Sequence, residues 1–225
     1  MDRVLDLSYE VTSQMLEHKI SNGISWRRSS VKPQESIIYL NDGAVRELVH
    51  VSNLMSCSSK IQEQCSIDQF ECPELIRVMH KVKKRIDVGP GFAVVHALPI
   101  AEIGRQAATS IFWLLGKILG RPVAQKWDQT MMYKVRDTGQ LYSYGVRGSY
   151  TNVELCFHND NAFNIAVPRT VGLLCINPAK SGGTSRFCSF YSVHNELLRK
   201  HPKILSRLYE PVYWDRQKEH DDKEP

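Results

Sequence analysis

His158 and Asp160 set an imidazole and a carboxylate two residues apart, just past a short strand-like run. At the flexible end of a strand, a neutral imidazole nitrogen and a carboxylate oxygen at this spacing can turn toward one point, as two ligands of a metal ion must. Completed by a second histidine, the pair makes the facial triad that holds non-haem Fe(II) and leaves three coordination positions open. H-x-D alone is a weak pattern, and a surface loop with a hydrogen-bonded histidine has the same letters. The surroundings favour the metal: Phe157-His158-Asn159-Asp160-Asn161 is followed by Pro168, an apolar run, and Gly182-Gly183-Thr184-Ser185.

Strands must hold such a pair in place. From Gln129 the period is two, with Met131, Tyr133 and Val135 alternating with Met132, Lys134 and Arg136, which predicts a strand with one mostly buried face. Asn152 to His158 repeats the pattern: Val153, Leu155 and Phe157 share one face, and His158 leaves on the other. Val171 to Ile176 reads as a strand buried on both faces and ended by Asn177-Pro178, and Gly182-Gly183 turns the chain into another strand, Ser185 to Phe190.

Helices are predicted on either side of these strands. Pro73 suits the first position of a helix carrying Leu75, Ile76, Met79 and Val82 on one stripe, stopped by Gly89-Pro90-Gly91 before the strand-like Phe92 to His96. Ile100, Ile103, Ala107, Ile111, Leu114, Leu115 and Ile118 predict a long helix from Pro99 to Gly120, packed on a sheet, with Phe112 and Trp113 filling core. Val193 to Lys200 and Pro202 to Tyr209 are two closing helices split at Pro202. The first 70 residues say least: a short helix over Tyr9 to Ile20, a strand at Ser36 to Leu40, a turn at Asn41-Asp42-Gly43, and an irregular Ser52 to Ser66. Many short strands late in the chain, with helices gathered earlier, give an α+β chain built on a β-sandwich or jelly roll with helices outside.

Composition excludes some classes. The 225 residues are 42% hydrophobic and 24% charged, enough for one domain with a sizeable core. The net charge of +5 is scattered apart from Arg27-Arg28 and Lys81 to Arg85, so no nucleic-acid partner is expected. The apolar stretch from Pro99 to Leu119 is broken by Glu102, Arg105 and Lys117, and the N-terminus has no signal-peptide pattern, so no membrane partner is expected. Six cysteines (Cys57, Cys65, Cys72, Cys156, Cys175 and Cys188) form no C-x-x-C pair, which fits reduced thiols in the cytoplasm.

With these residues in place the chain resembles the Fe(II)/2-oxoglutarate-dependent dioxygenases of the taurine dioxygenase/TfdA type. The resemblance rests on His158-Asn159-Asp160, on Pro168 with Val171-Gly172-Leu173-Leu174-Cys175, and on Gly182-Gly183-Thr184-Ser185, which matches a G-G-x-[ST] pattern 27 residues after His158. It covers residues 86–215, with residues 1–70 as an N-terminal elaboration of a single domain spanning 1–225. It implies a double-stranded β-helix, His158 and Asp160 as two of three iron ligands, and Ser185 as the hydroxyl on the carboxylate of 2-oxoglutarate. Fe(II), 2-oxoglutarate and O2 are then the cofactor and cosubstrates, and a small molecule is the substrate. Asp160, standing where related halogenases carry a small residue, favours hydroxylation.

In that family the second histidine and a carboxylate-binding arginine lie well beyond Glu210, so the core is expected to be incomplete at the C-terminus. His194, His201 and His220 are the candidates for the third ligand; the first two fall in predicted helices, where surface histidines are the rule. Glu154, Arg147 and Tyr150 flank the site and are candidates for meeting a polar substrate. A non-catalytic jelly-roll binding domain with a partial metal site is the competing reading. A zinc hydrolase is disfavoured by the lack of an H-E-x-x-H pattern.

Overall fold

The computed structural model describes residues 14–56, 65–126, 128–162 and 167–212. Its elements are α1 (Pro33–Ser36), β1 (Ile37–Tyr39), α2 (Asp42–Ser56), α3 (Pro73–Val88), β2 (Val94–His96), α4 (Ile100–Ile103), α5 (Arg105–Leu119), α6 (Phe190–Lys200) and α7 (Pro202–Arg207).

The core is helical. α2, α3 and α5 pack on one another and bury Leu48 and Val51, Leu75 and Met79, and Ile111 and Leu114 at their shared centre. Burying one such side chain contributes about 1.5–3 kcal/mol relative to leaving it in water. The stripes predicted for α3 and α5 are the faces that meet here. The surface under α5 is helical and not the sheet expected, because α2 supplies an apolar face at helical spacing: Ala44, Leu48, Val51 and Met55.

α2 corrects two expectations, a turn at Asn41-Asp42-Gly43 and irregular chain from Ser52. The Asn41 side chain caps the helix, its Oδ1 accepting the Ala44 N–H at 2.8 Å. The helix then runs on to Ser56. Glu47, one turn further, accepts the N–H groups of Glu74 at 3.1 Å and Leu75 at 2.8 Å, and so caps α3 from outside. α3 ends at Gly89, where a Cβ would lie 2.6 Å from the Arg85 carbonyl oxygen.

The long helix expected from Pro99 is broken into α4 and α5 by Gly104, whose φ of +82° leaves the right-handed helix at little cost only for glycine. The strands expected at Ser36–Leu40 and Phe92–His96 form β1 and β2, a parallel pair with Ile37 opposite Val94, Ile38 opposite Val95 and Tyr39 opposite His96. Ile38 points into the helical core.

Residues 14–20 are not helical; residues 9–13 of that expected helix lie outside the described residues. The cause at Ile20 is visible: Asn195 of α6 accepts its N–H at 2.8 Å and donates to its carbonyl at 2.7 Å, replacing helical partners. The strap continues along α6. Ser189 donates to the Ile24 carbonyl at 2.6 Å, Ser192 to the Trp26 carbonyl at 2.6 Å, and Arg27 pairs with Glu196 at 2.6 Å. α6 and α7 form where two helices were expected and are split at Pro202, α6 starting three residues earlier, at Phe190, and α7 ending at Arg207.

Between α5 and α6 the strands expected at Gln129–Val135, Asn152–His158, Val171–Ile176 and Ser185–Phe190 are not formed. The sheet among the described residues is β1–β2. A strand needs a neighbour for its backbone groups, and here the cross-links are few. Arg136 N–H meets the Ser149 carbonyl at 3.0 Å and Thr138 N–H the Tyr150 carbonyl at 2.9 Å. The apolar faces are correspondingly open, with Leu155 54%, Phe157 59% and Leu173 78% exposed, where burial was expected. The run 169–177 is tied to the helices at three points: Arg169 bonds Asp87 at 3.0 Å, Gly172 lies against the Phe112 ring, and Arg105 bonds Asn177 at 3.2 Å.

No described helix is long and apolar enough to cross a membrane. Cys72 is a buried thiol in no disulfide, Cys65 is buried too, and Cys156, Cys175 and Cys188 are exposed thiols. Cys57 lies outside the described residues.

Candidate metal centre

The run 152–157 delivers His158, and its own backbone orients the ring. His158 Nδ1 lies 2.7 Å from the Cys156 carbonyl oxygen. That carbonyl can only accept, so Nδ1 is the donor and Nε2 is the ring nitrogen turned toward Asp160, the one a metal would take from the neutral imidazole. Nε2 stands 3.8 Å from Asp160 Oδ1. Two metal–ligand bonds of about 2.0–2.2 Å at a right angle span about 3 Å, so the pair stands somewhat wider than two neighbouring positions of one ion, a gap that a side-chain rotation would close. Asn161, with φ of 52°, turns the chain away directly after the pair, and asparagine adopts that conformation more readily than most residues. Both side chains are about half exposed, leaving open approach on the side away from the protein.

Ser185 lies on the neighbouring extended run, behind a turn that only glycine makes easily. Gly182 and Gly183 both have positive φ, 73° and 70°, and a Cβ on Gly183 would sit 2.7 Å from the Ala179 Cβ. The run is tied to the metal-pair segment one residue later. The Arg186 guanidinium pairs with the Glu154 carboxylate and lies 5.7 Å above the centre of the Phe157 ring. The structure thus brings together His158 and Asp160 directly, and the segments of Ser185 and His158 through Arg186.

Glu154 is therefore engaged by Arg186. Arg147 and Tyr150 fall together in a cluster with Lys126 and Tyr133, with Arg147 6.0 Å from the Tyr133 ring centre and Lys126 donating to the Tyr150 hydroxyl at 2.9 Å. Of the third-ligand candidates, His194 sits in α6 with Nε2 3.0 Å from the Tyr209 hydroxyl, partly buried and not on the open surface expected. His201 is the exposed residue between α6 and α7, and His220 lies outside the described residues. No group of three metal-ligating side chains occurs among the described residues. The donor set fits two positions of a metal site.

Sequence reasoning passed over Arg186, Lys126 and Tyr133. Arg186 had a signal, its place directly after Ser185 with Glu154 of opposite charge on the preceding extended run. Lys126 and Tyr133 had none, because their partners are 7 to 24 residues away and the loop between shows no period.

The family model described as taurine catabolism dioxygenase TauD, TfdA family matches residues 65–225 of this chain. The chain is also similar to FR-33289 synthase of Streptomyces rubellomurinus, 24% identical over 220 residues that cover 94% of this chain and 62% of that protein. It thus spans about three fifths of the length of that curated relative.

Proposed function

Because the chain belongs to the taurine catabolism dioxygenase TauD/TfdA family, we propose that it acts as an Fe(II)- and 2-oxoglutarate-dependent oxygenase that hydroxylates a small molecule. The observation that carries this reading is the His158–Asp160 pair, with Nε2 and Oδ1 3.8 Å apart and Nδ1 committed to the Cys156 carbonyl. When bound, Fe(II) with 2-oxoglutarate supplies the oxidising chemistry, in which one atom of O2 goes to succinate, released with carbon dioxide, and the other to the substrate.

In this reading His158 Nε2 and Asp160 are two of the three protein ligands. The Ser185 hydroxyl donates to a carboxylate of 2-oxoglutarate, and Gly182 and Gly183 set the turn that presents it. Arg186 and Glu154 are positioning residues that keep the two runs side by side. In the same reading the runs 152–158 and 171–176, unpaired in this structure, are counterparts of strands in the family's jelly roll. The exposed thiols of Cys156, Cys175 and Cys188 suit the cytoplasm as its compartment.

The test is anaerobic titration of Fe(II) and 2-oxoglutarate into the purified chain, followed by the visible metal-to-ligand charge-transfer band. A band in the wild type that His158→Ala abolishes is expected. A folded chain that gives no band is instead the result expected of a binding domain with a partial metal site.

A further inference from the structure

Trp26, in the strap, is held at three points. Its carbonyl accepts from the Ser192 hydroxyl at 2.6 Å, and its indole N–H donates to the Pro90 carbonyl at 2.7 Å. Its ring meets that of Phe92, with centres 5.5 Å apart and planes tilted by 55°. Phe92 carries the contact on to Phe187, stacked on it with centres 5.1 Å apart and planes within 4°. Both separations lie in the range of about 4.5–7 Å in which aromatic pairs attract beyond the area they bury. Three distant parts of the chain thus share one row of rings: the strap, the segment between α3 and β2, and the run that begins with Ser185.

That run depends on side chains for its place. Among the described residues it pairs with no neighbouring strand, and Phe187 is 56% exposed. Arg186 pairs with Glu154, and Phe187 stacks on Phe92. Ser189, which is buried, donates to the Ile24 carbonyl at 2.6 Å and caps α6 by accepting the Ser192 N–H at 3.1 Å. Of these contacts, the one at Phe187 leads to the strap through Phe92, and the one at Ser189 leads there directly. Ser185 stands two residues before the first of them.

The strap is itself seated on the helical core. Gly23 lies against the end of α3, where a Cβ would stand 3.5 Å from the Val88 carbonyl oxygen, and α3 buries its apolar face in that core. Phe92 leads into β2, whose partner β1 places Ile38 in the same core. The row of rings therefore passes the position of the core to the run. The strap precedes residues 65–225, the part of the chain that the family model matches.

We propose that Trp26 is a positioning residue of the candidate site: through Phe92 and Phe187 it holds the run of Ser185, and the hydroxyl is in place for the cosubstrate only while the strap is docked. The role toward 2-oxoglutarate rests on the oxygenase reading; the hold on the run does not.

The test takes the full chain in two arms. In the metal-free protein, tryptic cleavage after Arg186 reports opening of the run, since cleavage tracks the population of the open form when closing is fast. Trp26→Ala is expected to raise its initial rate about twofold to tenfold, the effect of losing one aromatic pair. Trp26→Phe, which keeps a ring against Phe92, raises it less. So does Arg27→Ala, which removes the strap's ion pair with Glu196 and leaves the rings alone. In the second arm 2-oxoglutarate is titrated anaerobically into the Fe(II) form. Trp26→Ala weakens its binding by about the same factor, twofold to tenfold, and Trp26→Phe restores part of it. Phe92→Leu cuts the row in its middle and carries the test where Trp26→Ala does not fold. Unchanged cleavage and unchanged cosubstrate affinity in a folded Trp26→Ala chain overturn the proposal. Equal losses in Trp26→Ala and Arg27→Ala also overturn it, because they make the strap a general stabiliser. Faster cleavage with unchanged 2-oxoglutarate affinity keeps the hold on the run and overturns its role in the site. A wild-type chain without the charge-transfer band overturns the oxygenase reading and the cosubstrate role with it, and the cleavage arm then decides the hold on the run alone.

Discussion

Glu154 and Arg186 are ion-paired between the run that ends at the metal pair and the run that begins with Ser185. The same guanidinium covers the Phe157 ring next to His158. One side chain thus touches both halves of the proposed site, although it is a ligand of neither the metal nor the cosubstrate.

Replacing Arg186 by alanine is expected to loosen the site more than the fold. Both partners are exposed, so the ion pair contributes about 0–1 kcal/mol and the contact with Phe157 about 0.5–1 kcal/mol. In the oxygenase reading, 2-oxoglutarate binding to the Fe(II) form weakens by about threefold to tenfold. Arg186→Lys restores part of it, and thermal unfolding moves by only a few degrees. Unchanged cosubstrate affinity in Arg186→Ala would remove the residue from the site.

Glu47 of α2 caps α3 from outside that helix. Its carboxylate satisfies two N–H groups at the start of α3, those of Glu74 and Leu75. Glu47→Ala leaves both without that acceptor and is expected to cost about 1 kcal/mol, within the range of about 0.5–2 kcal/mol for a lost helix cap. For a chain of this length that is a fall of about 2–4 °C in Tm, measurable by calorimetry.

Glu196 gives the strap a pH dependence. Bonds from Lys200, Arg199 and Arg27 hold its carboxyl at about 2, below the ordinary 4.5. A carboxyl lowered on folding stabilises the folded form above its unfolded value and loses that contribution as acid protonates it in the folded state. The stability difference between wild type and Glu196→Gln is therefore expected to be constant above pH 4.5 and to shrink between 4.5 and about 2. Urea unfolding at fixed ionic strength across that interval measures it; a difference that grows on acidification would contradict the assignment.

The parts of the molecule legible in the sequence are those whose structure is local. α3, α5, α6 and α7 are marked by helical spacing and by Pro73, Gly89, Gly120 and Pro202 at their ends. α2 was equally marked by Ala44, Leu48, Val51 and Met55, but Asn41-Asp42-Gly43 also spells a turn, and the Asn41 cap decides between them only in three dimensions. The period-two runs are different in kind. Alternation reports a local period and says nothing of which segment lies alongside, and Asn152–His158 and Val171–Ile176 form no strand. The His158–Asp160 spacing was legible for the same local reason as the helices. The Lys126 cluster was not, since it depends on how the loop folds back.

The strap from Ile20 to Arg27 has a consequence for the order in which the chain is made. Its partners on α6 lie 165 to 175 residues further along for Ile20, Ile24, Ser25 and Trp26. At a synthesis rate of about 5–20 residues per second the strap waits about 8–35 s for its helix. During that interval α2, α3 and α5 have all left the ribosome and can close their core, so the strap is among the last parts to find its place.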